Sequence, residues 1–580
     1  FMNTYKRYSV LSISISMTEY KIIIEDRNYD QWYFIDSIEG NRVCNNELLN
    51  NIEPYKQRYF TKDYIKCSNN EVKLVKSDIR NGTNITAVLI LSNNKMFGRY
   101  GKRQLYQCIP DDQQLPIFLV PYEIKMGFSK DFKNKYVTFK FTEWNDKHPI
   151  GHLTNVIGDV DEIFNFFAYQ LYCKSLEISI NEFNKKTRTV MNNQNYEDLI
   201  NTIEKEYKIQ DHTKKKIFTI DSESTTEYDD ALYYEEIDDK IHVYVYISNV
   251  FLWLEIMNLW TSFTKRVSTI YLPDRRRPML PTLLADTLCS LQEKQTRLAL
   301  TYEFIYSKDK TLVDIKYYNS KIKVRKNQVY ESELLKRNGV YLQLLQFTQN
   351  NDKTVENSHD VVSHWMIKIN QYSSETFMKN KCGIFRSVSV IDKTKTMNCE
   401  LSKDTSRVLS NWNNVIGQYI YYNENEHLVH DLLDEKSYVH ISSPIRRLVD
   451  LLNQIELMEL MNCTVSDEAK EFHETWVDDL EFLNTSMRAI RKVQQECDIL
   501  YLCFNKPELL DQEYNGVLFD KIQKNDESYS YIVYIEELKM LSKFICYDEY
   551  NNYSRHKFKL FMLEKESSYK KKIKLQLITI

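Results

Sequence analysis

The chain has 580 residues, which is too long for a single hydrophobic core and predicts roughly three to five domains. Its 77 Lys and Arg against 81 Asp and Glu give a net charge of −4, so a uniformly basic nucleic-acid-binding protein is excluded. No apolar run reaches the ~18–20 residues of a membrane span, and we expect no membrane association. The 11 cysteines form no Cys-x-x-Cys pair, which predicts an intracellular, reducing compartment, the cytoplasm or alternatively the nucleus.

Short strands separated by turns dominate the first third of the chain. Apolar segments 20–24 and 31–35 predict strands whose relation to the following region stays open. Segments 86–91, 117–121 and 136–141 have the spacing of a small, OB-like β-barrel. Residues 161–212 have apolar residues at helical spacing and predict a helical connector.

The central region mixes both kinds of element. Strands are predicted at 241–247 and 298–306, and amphipathic helices at 356–378, 447–461 and 470–504. The last segment returns to strands, at 514–519, 529–535, 557–563 and 572–578, which predicts a second small barrel over 512–580. The predicted fold class is therefore multidomain α+β, with OB-like barrels flanking a large mixed domain.

A short acidic stretch lies at the start of the mixed region. Asp221, Glu227, Asp229 and Asp230 fall within ten residues and are flanked by apolar, strand-like segments. Crowded carboxylates repel one another and raise one another's pKa unless a cation lies among them. Hard oxygen ligands at this density suit Mg²⁺ or Mn²⁺ and predict a metal site for phosphodiester hydrolysis. A solvated acidic loop is the alternative.

Two arginine-containing stretches are suited to binding phosphates. Arg275, Arg276 and Arg277 lie between prolines, although an exposed loop has the same composition. In the second stretch, Ser443 and Pro444 predict a helix N-cap and first turn. Arg446 would then lie at a helix N-terminus, where its charge calls for a negative partner such as a phosphate or Asp450.

A third basic stretch lies on the predicted helix at 487–498. Arg488, Arg491, Lys492 and Gln495 lie on or near one face, with Glu496 one turn beyond Lys492. We interpret this face as solvated, since i,i+4 charge pairs give the same pattern.

The order of these motifs resembles the RNase II family of exoribonucleases, whose catalytic unit is the RNB domain. The resemblance is carried by 218–232, by Tyr-Leu-Pro at 271–273 with 278–281, by Leu-Cys-Ser-Leu at 288–291, and by Ser-Ser-Pro-Ile-Arg-Arg at 442–447. Segment 149–160 resembles the family's cold-shock barrel, and 514–578 its S1-type OB barrel. The run at 115–119 is similar to the eukaryotic exosome-type branch, although the N-terminus leaves no room for a PIN domain.

This resemblance implies four regions. They are an N-terminal extension or partial β module at 1–64, a cold-shock barrel with helical connector at 65–212, an RNB domain at 213–508 and an S1-type barrel at 509–580.

The resemblance also implies a processive 3′→5′ exoribonuclease that releases nucleoside 5′-monophosphates from single-stranded RNA. Asp221, Asp229, Asp230 and Arg446 would be catalytic, and Glu227 would join the three aspartates as a ligand of Mg²⁺ or Mn²⁺. The expected RNA contacts are Tyr271, Lys326, Asn370, Arg447 and Glu496. We expect a monomer that needs RNA with a free 3′ end, acting alone or within a larger RNA-decay complex.

Two departures from the family pattern leave other functions open. Glu227 replaces an aspartate, and its extra methylene displaces the carboxylate by over ~1 Å, enough to cost ~100-fold where geometry is strict. Lys326 replaces a tyrosine that clamps terminal bases. The alternatives are a catalytically weakened RNB protein that binds RNA as an adaptor, and a nuclease that also accepts DNA.

Overall fold

The computed structural model describes ten stretches of the chain. They are 19–38, 40–43, 47–68, 71–92, 95–124, 132–388, 417–423, 437–524, 527–565 and 569–578. The described residues divide into two compact units, one within Phe1–Ser175 and Met562–Lys572 and the other within Leu176–Phe561 and Ile573–Ile580.

The first unit contains two sheets and two helices. Its elements are β1 (Glu19–Ile24), β2 (Trp32–Asp36), α1 (Glu47–Asn50), β3 (Tyr64–Ser68), β4 (Glu71–Lys76), β5 (Ile85–Leu89), β6 (Arg99–Tyr100), β7 (Arg103–Pro110), β8 (Phe118–Tyr122), β9 (Lys135–Glu143), β10 (Ile150–Asp159) and α2 (Ile163–Cys173). The first sheet has the order β2-β1-β3-β4. The second has the order β5-β9-β10-β8-β7-β6, and an additional β5–β7 pairing closes it on itself.

One hydrophobic core joins the two sheets of this unit. Ile22 and Phe60 are fully buried in the same cluster as Phe118 and Phe139 of the second sheet. The rings of Phe60 and Phe118 stack at 5.9 Å. The N-terminal strands therefore pack on the barrel rather than form a separate module, and their sheet continues to Lys76, beyond the predicted boundary at 64.

The second unit begins with helices and a mixed sheet. These elements are α3 (Asn181–Asn193), α4 (Tyr196–Glu206), β11 (Gln210–His212), β12 (Phe218–Asp221), β13 (Asp230–Ile237), β14 (Lys240–Ser248), α5 (Val250–Ile256), a 3₁₀ turn (Trp260–Ser262), β15 (Ile270–Tyr271), β16 (Arg276–Arg277), a π-helix (Leu283–Cys289), β17 (Thr296–Ser307), β18 (Leu312–Lys323) and β19 (Lys326–Val329). The large sheet has the order β11-β18-β17-β14-β13-β12-β19. Its end strands pair in parallel, β12 with β19 and β11 with β18.

Helices and further strands complete this unit, except that Met562–Lys572, at the end of β25 and the start of β26, belong to the first unit. They are α6 (Glu333–Lys336), α7 (Gly339–Asn351), α8 (Ser358–Asn380), β20 (Ile384–Val388), β21 (Gly417–Tyr421), α9 (Leu448–Leu460), α10 (Asp467–Asp478), α11 (Leu480–Asn505), a 3₁₀ turn (Pro507–Leu510), β22 (Glu513–Gln523), β23 (Tyr529–Ile535), β24 (Met540–Cys546), β25 (Arg555–Lys565) and β26 (Lys570–Leu577). The last sheet has the order β24-β23-β22-β25-β26.

Three local predictions differ from the structure. The helix predicted over 470–504 is two helices, α10 and α11, which break at Asp479, where the carboxylate pairs with Lys265 at 3.2 Å. β24 went unpredicted because its sequence lacks a clear alternation of buried and exposed residues. Ser443 is not an N-cap and Pro444 is not in a first turn, because α9 begins only at Leu448 after a turn at Ser443–Arg447.

No helix in the described part of the chain is long and apolar enough to cross a membrane. The nine cysteines that lie in this part are all free thiols.

The last sheet depends on the absence of a side chain at Gly516. A Cβ there would meet Phe558 Cδ2 and Val533 Cγ1, each at 2.6 Å. Gly516→Ala should therefore destabilise the protein by about 1–3 kcal/mol through overpacking. Denaturant unfolding measures the change. Gly339→Ala is the control, because nothing lies within 4 Å of its added Cβ and stability should be unchanged or slightly higher.

Candidate active site

The acidic stretch connects two neighbouring strands of the large sheet. β12 ends at Asp221, and the antiparallel strand β13 begins at Asp230. The loop between them returns the chain so that both carboxylates lie at the same end of the sheet. The sequence favours this because two apolar strands flank a polar segment that lacks the alternation of apolar residues needed to continue a half-buried strand.

Ser290 fixes this loop from the opposite side. Its hydroxyl donates to the carbonyl of Thr226 at 2.9 Å and accepts from the Tyr228 N–H at 3.0 Å. The Leu291 N–H donates to the Tyr228 carbonyl at 3.0 Å. The Leu-Cys-Ser-Leu motif therefore acts by holding the backbone of the acidic loop.

Asp229 is the most constrained of the four carboxylates. It is 3% exposed, and its Oδ1 accepts from the Ile445 N–H at 2.9 Å. Its Oδ2 accepts from Arg446 Nε at 3.0 Å. Burial raises the pKa of Asp229 to about 6, while Arg446 and the Ile445 N–H act in the opposite direction. Asp229 thus joins the acidic loop to the turn that carries Arg446.

The carboxyl groups of Asp221 and Asp230 both have a raised pKa. Burial, and then the charge of Asp229, raise the pKa of Asp221 to about 7. Burial, and then the charges of Asp221 and Asp229, raise the pKa of Asp230 well above its usual range. Three mutually repelling carboxylates at one place favour a bound cation, since it would stabilise their ionised forms.

The Glu227 carboxylate contacts Tyr271 and Arg276 rather than Arg446, the partner of Asp229. Its Oε2 accepts from the Tyr271 hydroxyl at 2.9 Å, and its Oε1 lies 2.8 Å from Arg276 Nη1. Arg276 is in turn bidentate to Asp286 at 2.5 and 2.6 Å. The longer side chain of a glutamate allows this contact with the arginine-rich loop. Burial raises the pKa of Glu227 to about 7, while Arg276 and the Tyr271 hydroxyl act in the opposite direction, and its use as a metal ligand stays a prediction.

The four predicted ligands do not form one preformed metal centre. Within the described ranges, no three Asp, Glu, His or Cys side chains are grouped so that they could hold an ion. Glu227 and Asp229 each have an arginine partner. Burial and neighbouring carboxylates raise the pKa of both Asp221 and Asp230, and a bound cation would offset that effect. Two carboxylates fit Mg²⁺, which retains several waters and commonly binds through one or two carboxylates together with substrate phosphates.

The turn at Ser443–Arg447 presents Arg446. Two carboxylates take the backbone N–H groups that a helix N-terminus would offer there: Asp229 binds the Ile445 N–H, and Asp450 binds the Ser443 N–H at 2.7 Å. The negative partner of Arg446 is Asp229 and not Asp450. About half of the Arg446 side chain is exposed, so it can also contact a bound anion.

Tyr271 and Lys326 are placed differently with respect to this site. The Tyr271 N–H donates to Gln494 Oε1 at 3.3 Å and its hydroxyl reaches Glu227, while the residue remains 41% exposed. Lys326 lies at the start of β19 and pairs with Glu293 at 2.8 Å. The structure therefore brings Tyr271, but not the ammonium of Lys326, into contact with the acidic loop.

Asn370 is a buried, hydrogen-bonded residue of α8. It is 3% exposed, its amide donates to the Tyr438 hydroxyl at 2.9 Å, and its carbonyl accepts from the Ile441 N–H at 3.1 Å. Its predicted RNA contact stays a prediction, and its two hydrogen bonds position the segment that leads to Arg446. Arg447 is bidentate to Asp450 at 2.5 and 2.8 Å, and Glu496 lies half-buried on α11.

The sequence analysis missed Tyr330 beside the carboxylates. Its N–H donates to the Asp221 carbonyl at 3.0 Å, and its ring stacks on His359 at 3.7 Å. The charges of Asp230 and Asp221 act with burial to raise the pKa of its phenol. Tyr330 reaches this place because β19 pairs in parallel with β12. That pairing is a tertiary feature, so the sequence alone carries no signal for it.

Family comparisons agree with this architecture. Residues 209–340 match the RNB domain family model, and residues 105–165 match the Dis3-like cold-shock domain 2 model. Over these two segments the chain is similar to RNB-domain proteins of the RNase II/RNase R family, and the predicted α+β fold with an OB-like cold-shock barrel is confirmed.

Curated relatives match over part of the chain. Exoribonuclease 2 of Salmonella paratyphi A is 38% identical over 137 residues, 23% of this chain and 21% of that protein. Exoribonuclease 2 of Proteus mirabilis is 32% identical over 190 residues, 32% of this chain and 27% of that protein. The matched segment thus spans about a fifth to a quarter of the length of these relatives.

Solved structures share the fold at low identity. RNase R of Mycoplasma genitalium, in complex with double-stranded RNA, has a TM-score of 0.62 at 16% identity and covers 88% of this chain and 97% of its own. Yeast Ssd1, a pseudonuclease, has a TM-score of 0.56 at 12% identity and covers 94% of this chain and 80% of its own. The same fold therefore occurs in a protein named as a nuclease and in one described as a pseudonuclease.

Asn370→Ala tests the positioning role of the buried amide. The change leaves the Ile441 N–H and the Tyr438 hydroxyl without this partner, so the free energy of unfolding should fall by about 1–3 kcal/mol. Denaturant unfolding measures the loss. Lys368→Ala, an exposed change on the same helix, is the control, and equal stability of both variants would contradict this role.

Proposed function

We propose that this protein is a hydrolytic 3′→5′ exoribonuclease acting on single-stranded RNA. The observation that carries the proposal is the buried Asp229–Arg446 pair, which holds an arginine beside two carboxylates of raised pKa. An arginine paired on one side and half exposed on the other is suited to a phosphodiester, because its planar fork can bind carboxylate and phosphate together. The named exoribonuclease relatives support the same reaction class.

Each residue of the site has a separate task in the proposed reaction. Arg446 binds the scissile phosphate and stabilises the charge that develops on its oxygens. Asp229 keeps the guanidinium oriented, and its bond to the Ile445 N–H fixes the turn. Tyr271, partly exposed and anchored through Glu227, offers a ring on which a terminal base can stack. The products would be nucleoside 5′-monophosphates released from a free 3′ end.

We propose that Asp221 and Asp230 hold Mg²⁺, with Mn²⁺ as the alternative. When bound, such an ion lowers the pKa of a coordinated water and neutralises phosphate charge. Glu227 has no part in this ligand pair, because Tyr271 and Arg276 hold its carboxylate. It acts instead through the position of Tyr271.

A second candidate function is an RNA-binding adaptor without hydrolysis. Two observations favour it: the Glu227 carboxylate is paired with Arg276, and the described residues contain no three-ligand metal grouping. The fold match to a pseudonuclease is compatible with it. The two functions differ in whether bound RNA becomes shorter.

Asp229→Asn separates these functions. Loss of the carboxylate charge frees Arg446, so RNA hydrolysis should fall at least ~100-fold, the range seen when one transition-state contact is removed, while RNA binding persists. A gel assay with 5′-labelled RNA measures shortening, and the same RNA and protein are used for a binding titration.

Glu223→Gln is the matched control, because it removes an exposed carboxylate from the same loop. It should degrade RNA at the wild-type rate. Wild-type cleavage by a folded Asp229→Asn variant would contradict the catalytic assignment, and an absence of shortening by the wild type in Mg²⁺ and Mn²⁺ would favour the adaptor.

Metal binding can be tested without measuring activity. An ion that binds only the folded protein stabilises it by mass action, about 2.7 kcal/mol at a hundredfold excess over Kd. Added Mg²⁺ should therefore raise the thermal midpoint of the wild type more than that of Asp221→Asn or Asp230→Asn. The Glu223→Gln control should respond like the wild type, and equal shifts in all variants would exclude a site at Asp221 and Asp230.

A further inference from the structure

The last sheet has an open seam between its two end strands. Its strand order is β24-β23-β22-β25-β26, and within the described part of the chain no pairing joins β24 to β26. The second sheet of the first unit differs, because its β5–β7 pairing closes it. Each end strand of the last sheet therefore has one edge that no neighbouring strand uses in the described ranges. Such an edge can pair with the backbone of a further strand.

The backbone groups of β26 that face the seam can be assigned. The Ile578 N–H, just beyond the end of β26, donates to the Lys557 carbonyl of β25 at 2.9 Å. Alternate residues of a strand direct their N–H and C=O groups to the same side. Ile573, Leu575 and Leu577 are offset by one position from this bond, so their backbone groups are directed away from β25 and into the seam.

An apolar cleft of about 520 Å³ lies at this seam. Phe544 and Cys546 of β24 line one side, Leu575 and Leu577 of β26 line the other, and Phe561 of β25 also contributes. Phe544 and Leu575 are 8% and 7% exposed, so they form a buried floor. The volume is within the range of sites that bind a ligand. This floor is suited to apolar side chains that enter from the seam.

The outer face of the sheet is basic on both sides of the seam. Lys543 precedes Phe544 and Lys574 precedes Leu575, and successive side chains of a strand point to opposite faces. Both lysines are exposed, and neither forms an ion pair with another described residue. Asp548 also lines the cleft, but it lies beyond the end of β24. The strands themselves therefore favour acidic groups above an apolar floor.

These features fit an extended peptide better than a nucleic acid. A peptide strand supplies N–H and C=O groups to both edges, and its alternate side chains reach opposite faces of the sheet. A nucleic acid could contact the two lysines, but its backbone has no N–H groups for the free carbonyls of the strands. The occupant that satisfies floor, edges and lysines together has apolar residues alternating with acidic ones.

We propose that the seam between β24 and β26 binds an extended segment of a partner protein, which joins the sheet as a sixth strand. The apolar side chains of this segment pack on Phe544 and Leu575, and its acidic side chains lie beside Lys543 and Lys574. Addition of a strand to a free sheet edge is a common mode of peptide recognition. The seam belongs to a different sheet from the candidate active site, so this interaction does not depend on the proposed function.

A labelled peptide of four Val-Glu repeats, blocked at both ends, tests this docking site on the full chain by fluorescence anisotropy. It should bind more tightly than a peptide of four Val-Lys repeats. A Val-Glu peptide with alternate backbone nitrogens methylated keeps its charge but loses donors to one edge. Its affinity should be at least ~tenfold lower, because several hydrogen bonds of about 0.5–1.5 kcal/mol each are lost. Equal affinity of the methylated and unmethylated peptides would overturn the proposal.

Charge reversal in the protein tests the role of the two lysines. Lys543→Glu and Lys574→Glu should each weaken binding of the Val-Glu peptide by about two- to fivefold, the effect of losing one exposed ion pair. The double variant should prefer the Val-Lys peptide. Lys539→Glu is the matched control, because it reverses an exposed charge in the turn between β23 and β24. It should bind like the wild type, and an equal loss in all three single variants would contradict the site.

The thiol of Cys546 reports the location of binding. Cys546 is half-buried and lines the cleft, so a saturating Val-Glu peptide should slow its alkylation. Cys67 on β3 is a half-buried thiol outside the cleft, and its alkylation should not change. Mass spectrometry of the digested protein measures both rates. Peptide binding that leaves Cys546 unprotected would place the peptide elsewhere and overturn the proposal.

Single-stranded RNA is the competing occupant. In the presence of a chelator that prevents metal-dependent cleavage, an excess of single-stranded RNA should neither displace the Val-Glu peptide nor protect Cys546. If RNA protects Cys546 and Lys543→Glu with Lys574→Glu abolishes that protection, the seam binds nucleic acid and the peptide proposal is wrong. The exoribonuclease assay with the Asp229→Asn variant is unaffected by either result, so the two proposals succeed or fail separately.

Discussion

The ion pair between Asp229 and Arg446 is the constraint on which the candidate site depends. It joins an acidic loop of the large sheet to a turn that is more than two hundred residues away in sequence. Asp229 is almost fully buried, so its charge is stable only while Arg446 and the Ile445 N–H satisfy it. Removing either partner would leave a buried charge unpaired, which is why the loop and the turn must assemble together. The site is thus specified by a tertiary contact rather than by either motif alone.

Around this pair, the other contacts act as supports for the backbone. Ser290 holds the acidic loop, Asn370 holds the segment that leads to the turn, and Asp450 holds the turn from the helix side. Each support is a buried polar group with a complete set of partners, which is how a buried network fixes a unique geometry. The charged groups that could meet substrate, Arg446 foremost, remain partly exposed. Rigid support and accessible charge are therefore assigned to different residues.

The sequence predicted several of the strands, most helices and the acidic stretch, because these follow from local periodicity and from ordered motifs. It could not predict where each side chain finds its partner. Glu227 has the composition of a metal ligand but binds Arg276 and Tyr271, and Asn370 lies on a helix beside the site but is buried. The helix start was misplaced for the same reason, since Asp229 and Asp450 take the N–H groups that would otherwise begin a helix at Ser443. Each of these differences is a tertiary hydrogen bond overriding a local preference.

The replacement of aspartate by Glu227 is best understood from its partners. A glutamate extends one methylene further from the backbone, and here that length brings the carboxylate to Arg276 and to the Tyr271 hydroxyl. Arg276 is also shared with Asp286 of the π-helix, so Glu227 couples the acidic loop to the stiff loop between the two prolines. The carboxylate of Glu227 is therefore bound by two protein side chains, and through one of them it fixes the position of the Tyr271 ring. In the proposed function, catalysis would then rest on Asp221, Asp229, Asp230 and Arg446, and a terminal base would stack on the Tyr271 ring that Glu227 positions.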